Sequence, residues 1–461
     1  MPKEGGAGVR QVRARALLAL AMLNIFVLVA GVVAADVLES RPPSTMPYPV
    51  ALAQDGPASA PSDAAPIDPD RLADKLDDRM SDSGLSDGLS AYVTDASSGT
   101  VVFEKDAGTA RIPASTTKIV TAVSALHERG PEERLRTTVV RDGDRIVLVG
   151  GGDPTLTESN APGDYPQMAS LEDLADHTAA ALEREGVDSV RLGYDGSLYS
   201  GPVEGPDWKP SYIWDGNVAK VTALMVDGGR KHKGRKYGDR VDDPPRVAAD
   251  VFARRLRDAG VRIEGKPAPA TAPDGADPIA SVDSPPLSAL VEKMMLESDN
   301  NIAEALVRQV ALARGEDASF AGASAAVGQV MSELGVSGVH VEDGSGLTRN
   351  NKIKPKALVK LLATASDPEN PDLRPAITGL PTAHFTGSLH DRYSDDSGSA
   401  AGAGLVRGKT GTLDGVSALS GTVRDKDGRL LLFAFIANDG AAAGSTLDTF
   451  AAAVAECGCS R

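Results

Sequence analysis

Three short clusters in the 461-residue chain carry residue types suited to acyl transfer: Ser115-Thr116-Thr117-Lys118, Ser298-Asp299-Asn300 and Lys409-Thr410-Gly411. A serine hydroxyl attacks a carbonyl only when a neighbouring base takes its proton. On a helix, positions i and i+3 share a face, so Lys118 would lie within reach of Ser115. The helix N-terminus adds partial positive charge where an oxyanion would develop. Lys118 can serve as the base once desolvation and a nearby cation lower its pKa, and Lys409 is the expected cation if the clusters converge. Ser298 offers a hydroxyl that could relay a proton to a leaving amine, and Asn300 an amide for the substrate backbone. Lys409 supplies charge for a substrate carboxylate. On the same strand, Thr410 and Gly411 let an extended substrate approach closely. The Thr412 N–H, with that of Ser115, could form an oxyanion hole. A capping serine and a solvated lysine would explain the first cluster alone, because S-x-x-K arises by chance about once or twice in a chain of this length. Each of the other two is expected roughly 0.1 times or less, so the ordered set of three points to chemistry.

The elements that must hold these residues can be read in outline. LSAYVTD and TVVFEKD flank the turn cluster Ala96-Ser97-Ser98-Gly99, which predicts a hairpin. A helix is expected from about Ser115, with Ile119, Val120, Val123 and Leu126 on one face, stopping at Gly130. Helices are also expected over Leu287 to Leu296 and Ile302 to Ala313, with Glu297 to Asn301 as the loop between them. RGKTGTLDGVSALSGTVRDKDGRLLLFAFIAND reads as consecutive strands turning at Asp427-Gly428, followed by a helix from Ser445 to Glu456. Between 140 and 280 the chain becomes rich in Gly, Pro and Asp, as expected of an inserted module. The expected division is therefore 1–35 targeting segment, 36–70 linker, 71–139 with 281–461 catalytic domain, and 140–280 insert.

Residues 16–35 form an apolar run interrupted only by Asn24, behind Lys3, Arg10, Arg13 and Arg15. This is an export signal, either cleaved after Val33-Ala34-Ala35 or kept as a membrane anchor. Positive charge before it keeps that end cytoplasmic, so the chemistry is expected outside the membrane. Residues 39–70 are rich in Pro, Ala, Ser and Asp and read as a flexible tether. With a net charge of −16, the chain is not expected to bind nucleic acid. Six scattered histidines without an H-E-x-x-H, and two cysteines, Cys457 and Cys459, give no expectation of a metal or other cofactor. The cysteines are either incidental thiols or a tight local disulfide.

The three clusters together are the signature of class A β-lactamases and penicillin-binding proteins. With PASTTK at 113–118, GGGDPTL at 150–156, SDNNIAE at 298–304, DGSGLTRNN at 343–351, GSL at 387–389 and KTGTLDGV at 409–416, the chain resembles the class C low-molecular-mass penicillin-binding proteins. These are D-alanyl-D-alanine carboxypeptidases and endopeptidases. The resemblance implies an α+β fold, a serine β-lactamase/DD-peptidase-like domain with a five-stranded antiparallel sheet and helices, carrying a mainly β inserted domain. It implies a serine carboxypeptidase acting on peptidoglycan stem peptides through an acyl-enzyme on Ser115, with β-lactams as covalent inhibitors. The 183-residue gap between Ser115 and Ser298 fits the insert. It also disfavours a class A β-lactamase, as does the lack of an E-x-x-L-N motif.

In that family a pocket beside the serine resembles an acid, an arginine and an apolar wall, which read the stem-peptide side chain. Arg349 and Leu413 match without gaps; the acid is assigned to Asp215, with Asp207 as the alternative. Two other readings stand beside the carboxypeptidase. One is a β-lactamase-like serine hydrolase, the other a non-catalytic penicillin-binding or sensor module. Gly84-Leu85-Ser86-Asp87-Gly88 matches a hydrolase nucleophile elbow but lacks an apolar strand before it. A phosphate-binding loop ending at Gly408-Lys409-Thr410 fails because position 403 is alanine.

Overall fold

The run Leu430–Ala437, LLLFAFIA, is buried along almost its whole length, which is the pattern of a strand covered on both faces. It occupies the centre of a five-stranded antiparallel sheet. The order is Val406–Leu413, Val416–Arg424, Leu430–Ala437, Leu89–Asp95 and Val101–Lys105. Because side chains alternate along a strand, Leu432, Ala434 and Ile436 enter one core, and Leu431, Phe433 and Phe435 the other. The first core is closed by helices Thr117–Arg129, Leu287–Glu297, Asn300–Ala313, Phe320–Glu333 and Pro355–Ser366. The second is closed by Pro69–Ser83 and Gly444–Ala455. Helices on both faces of an antiparallel sheet give the α+β class expected from the sequence.

This computed structural model describes residues 67–83, 88–161, 166–232, 238–438 and 444–458, all within one compact unit. The export segment, the linker up to residue 66, most of the Gly84–Gly88 run and Cys459 lie outside the described residues. The first helix begins at Pro69, inside the stretch assigned to the linker, because Leu72, Leu76 and Met80 recur on one face and are buried. Among the described residues no helix is long and apolar enough to cross a membrane. Cys457 is buried and disulfide-bonded.

Between the Ser115 helix and the Ser298 turn lies a second, six-stranded sheet. Its order is Arg262–Ile263, Ser189–Asp195, Arg145–Val149, Arg136–Asp142 and Pro278–Asp283, with Ala268–Pro269 also pairing onto Ser189–Asp195. Helices Leu171–Arg184 and Pro244–Asp258 cover it, and the module has its own core around Leu148, Leu174, Leu192 and Phe252. The composition boundaries at 140 and 280 fall within its strands Arg136–Asp142 and Pro278–Asp283.

The connection carrying Ser298 is tighter than the sequence suggests. Helix Leu287–Glu297 ends at Ser298 in the left-handed conformation (φ 59°), and Asp299 caps the next helix by accepting the Ile302 N–H at 3.0 Å. Capping begins that helix at Asn300, so the expected five-residue loop shrinks to Ser298 and Asp299. A non-glycine residue held in this region costs about 1–3 kcal/mol.

Candidate active site

Ser115 sits in a 3-10 turn, Ala114–Thr116, that leads directly into helix Thr117–Arg129. Thr116 and Thr117 brace the turn through hydroxyl bonds to the Pro113 and Ala114 carbonyls, at 2.7 and 2.8 Å. One helical turn on, Lys118 has no exposed surface. Its Nζ has three acceptors within reach: the Ser345 carbonyl at 2.6 Å, Asn300 Oδ1 at 2.7 Å and Ser115 Oγ at 3.1 Å. Burial lowers the Lys118 pKa to about 8, against the opposing pull of Asp343, Glu304 and Asp299. The expected role of Lys409 in that lowering gives way to burial. Lys409, also fully buried, donates instead to Ser298 Oγ and the Thr410 carbonyl, both at 2.9 Å.

The strand bearing Lys409 lies directly against the Ser115 turn. A Cβ on Gly411 would stand 2.7 Å from the Pro113 carbonyl oxygen and 3.1 Å from the Ser115 nitrogen, so only glycine permits this approach. Thr410 Oγ1 shares a 2.8 Å hydrogen bond with Ser388 Oγ of the GSL run. Thr412 is exposed two residues beyond Thr410, paired in register with Ser417. Thus Lys118 is hydrogen-bonded to Ser115 and Asn300, and Lys409 to Ser298; Ser298 and Asn300, two residues apart, carry the two sets side by side, with Thr410, Gly411 and Thr412 on the strand that bears Lys409.

The residues assigned to the side-chain pocket lie at the edge of the inserted module. Arg349 donates to the Asp414 carbonyl at 2.7 Å, and the Asp414 carboxylate pairs with Lys209 of the inserted module. Leu413 precedes Asp414 and is half-buried. Asp215 is exposed at the end of the short helix Ser211–Trp214, and no hydrogen bond or ion pair joins it to Arg349 among the described residues. Asp207 is exposed as well, whereas its neighbour Trp208 turns inward and donates to Asp343 Oδ2 at 2.8 Å.

Several contributors carry no motif-level signal of their own. The Ser345 carbonyl on Lys118 and the Asn217 carbonyl, which accepts Asn300 Nδ2 at 2.9 Å, are backbone groups whose role no side-chain pattern reveals. Glu304 and Asp343 lie within matched stretches, SDNNIAE and DGSGLTRNN, yet their burial beside Lys118 emerges only in three dimensions.

The chain is 36% identical over 456 residues to the carboxypeptidase DacB of Mycolicibacterium smegmatis, covering 94% of this chain and 96% of that protein. It is 35% identical over 382 residues to a carboxypeptidase of Mycobacterium tuberculosis, covering 80% and 81%. In fold it is similar to penicillin binding protein 4 (dacB) from Haemophilus influenzae, with a TM-score of 0.66 and 22% identity over 84% of this chain and 98% of that one. The family match spans residues 72–233 and 230–456, nearly everything beyond the linker, and includes all three clusters of the site: the chain belongs to the D-Ala-D-Ala carboxypeptidase 3 (S13) family.

Proposed function

We propose that this protein is a serine-type D-Ala-D-Ala carboxypeptidase, with DD-endopeptidase capacity in the same cleft, acting on peptidoglycan stem peptides. The observation that carries the reading is the coordination of Lys118. A neutral amine has two N–H groups and one lone pair. Ser345 O and Asn300 Oδ1 take the two donors, which leaves the lone pair for the Ser115 hydroxyl. Ser115 Oγ attacks the carbonyl of the penultimate D-Ala while its proton passes to Lys118. The tetrahedral oxyanion faces the Ser115 and Thr412 N–H groups. Its collapse breaks the peptide bond; the departing D-Ala amine takes the Ser298 Oγ proton, which the proton Lys118 took from Ser115 replaces, returning Lys118 to the neutral amine, while Lys409 holds Ser298 Oγ at 2.9 Å. Water then cleaves the ester on Ser115. A β-lactam acylates the same oxygen.

The segment at 16–35 supports a site of action outside the cytoplasmic membrane, with the chain either released or anchored there. The disulfide at Cys457 supports the same oxidising compartment. Arg349, Leu413 and an acid from the inserted module, Asp215, are the side-chain specificity residues of this reading.

Incubating the purified protein with a stem-peptide analogue ending in D-Ala-D-Ala should release terminal D-Ala stoichiometrically, and Ser115→Ala should abolish release. No release, or hydrolysis of penicillin outpacing that of the peptide, would favour the sensor or β-lactamase readings instead.

A further inference from the structure

The six-residue turn Asp343–Thr348 is gripped by two buried carboxylates. Asp343 Oδ1 accepts the Gly346 N–H at 2.8 Å and Asn351 Nδ2 at 2.9 Å; its Oδ2 accepts the Thr348 N–H and Trp208 Nε1, both at 2.8 Å. Glu304, with no exposed surface, accepts the Ser345 N–H at 2.9 Å and the Gly344 N–H at 3.3 Å. On the other side of the turn, Thr121 Oγ1 donates to the Gly344 carbonyl at 2.7 Å. The turn also has to touch the nucleophile segment. A Cβ on Gly346 (φ 83°) would lie 1.9 Å from the Ala114 carbonyl oxygen. What emerges toward the site is the Ser345 carbonyl, 2.6 Å from Lys118 Nζ and 3.5 Å from Ser115 Oγ.

We propose that Glu304 is a positioning residue for Lys118. By holding the N–H groups of Gly344 and Ser345, it aims the Ser345 carbonyl at the amine and so fixes where the lysine lone pair points. The inference rests on the reading of Lys118 as the base for Ser115. With Asn300 as its only fixed acceptor, the Lys118 amine could rotate about its Cε–Nζ bond and carry the lone pair away from the hydroxyl. The Ser345 carbonyl removes that freedom. Burying a carboxylate is costly, and an apolar residue at 304 would pack without that cost, which argues that the charge is kept for what it holds.

Glu304 also acts on Lys118 through its charge. The ionisable groups around it are Arg308 on its own helix, 3.5 Å from its Oε2, Asp343 on the turn and Lys118 on the nucleophile helix. Asp299 faces Lys118 as well, and Tyr199 packs against Arg308. Burial and Asp343 push the Glu304 carboxyl above the usual range, while Arg308 and the turn N–H groups favour its ionised form. Ionised Glu304 raises the Lys118 pKa, so removing that charge lowers it.

The test is the rate of penicillin acylation of the full protein against pH, in two variants. Acylation requires neutral Lys118, so the wild-type rate climbs as pH rises through about 8. Glu304→Gln keeps an acceptor for the Ser345 N–H but loses the charge. Its climb should move about half to one unit to lower pH, and its plateau should fall roughly 10-fold. Thr121→Val removes the other grip without altering charge. It should lower the plateau about 3- to 10-fold and leave the climb where it is. A wild-type profile in Glu304→Gln, or a wild-type plateau in Thr121→Val, overturns the proposal. Absence of a Ser115 adduct in the unaltered protein would instead overturn the acyl-transfer reading beneath it.

Discussion

Lys118 and Lys409 are equally buried but meet different partners, and the difference assigns them different work. Lys118 is surrounded by acceptors and held at a pKa of about 8, near enough to neutrality to take a proton from Ser115. Lys409 donates to Ser298 Oγ, and in the proposed mechanism it favours proton return to the leaving amine and attracts a carboxylate. Lys118→Ala should therefore slow acylation about 100- to 10,000-fold. Lys409→Arg keeps a charge but puts a larger head group at a fully buried position, at a cost of about 1–3 kcal/mol, and should acylate slowly yet measurably. Equal and total loss in both variants, followed by stopped-flow fluorescence, would contradict this division. The side chains of this cluster were legible because each type is chemically distinctive and the three spacings are jointly rare. The reason Lys118 has a lowered pKa was legible in part. Sequence named two causes, desolvation and Lys409 as a neighbouring cation; burial is the one that lowers it, and its extent depends on which helices close over the site. Arg349 reaches the Asp414 carbonyl, a backbone acceptor that no alignment of acidic side chains would suggest.

At the level of elements, the site depends on how closely three segments approach. The strand Val406–Leu413 meets the Ser115 turn at Gly411, so Gly411→Ala should push the strand away by a few tenths of an ångström. Acylation should fall about 10- to 100-fold while the far-ultraviolet circular dichroism stays native, because the other strand pairings are untouched. Wild-type acylation in that variant would show that the approach does not matter. The consecutive C-terminal strands were legible from their apolar runs and from Asp427-Gly428, and the hairpin at Leu89–Lys105 from its turn cluster. The two-residue turn at Ser298 was read as a longer loop, since polar residues at 297–301 look alike whether they cap a helix or hang in solvent. Within the insert, Gly and Pro content masked helices Leu171–Arg184 and Pro244–Asp258. Their caps, Ser170 on the Asp173 N–H and Asp243 on the Arg246 N–H, are nonetheless ordinary start signals.

Taken as a whole molecule, the insert is part of the site rather than an appendage. Asn217 lends its carbonyl to Asn300, Asn301 Oδ1 accepts the Ala219 N–H at 2.8 Å, and Trp208 reaches Asp343. Composition could mark an insertion by its change of character, but not that it closes onto the Ser298 turn. Such contacts join residues more than 80 positions apart and follow from packing alone. The central claim is that this fold exists to present Ser115 as an acyl acceptor. Mass spectrometry of the intact protein after exposure to penicillin, followed by peptide mapping, tests it most directly. The account predicts one penicilloyl group per chain, located on Ser115 and lost in Ser115→Ala without unfolding; an adduct that persists in that variant, or none in the wild type, would contradict it.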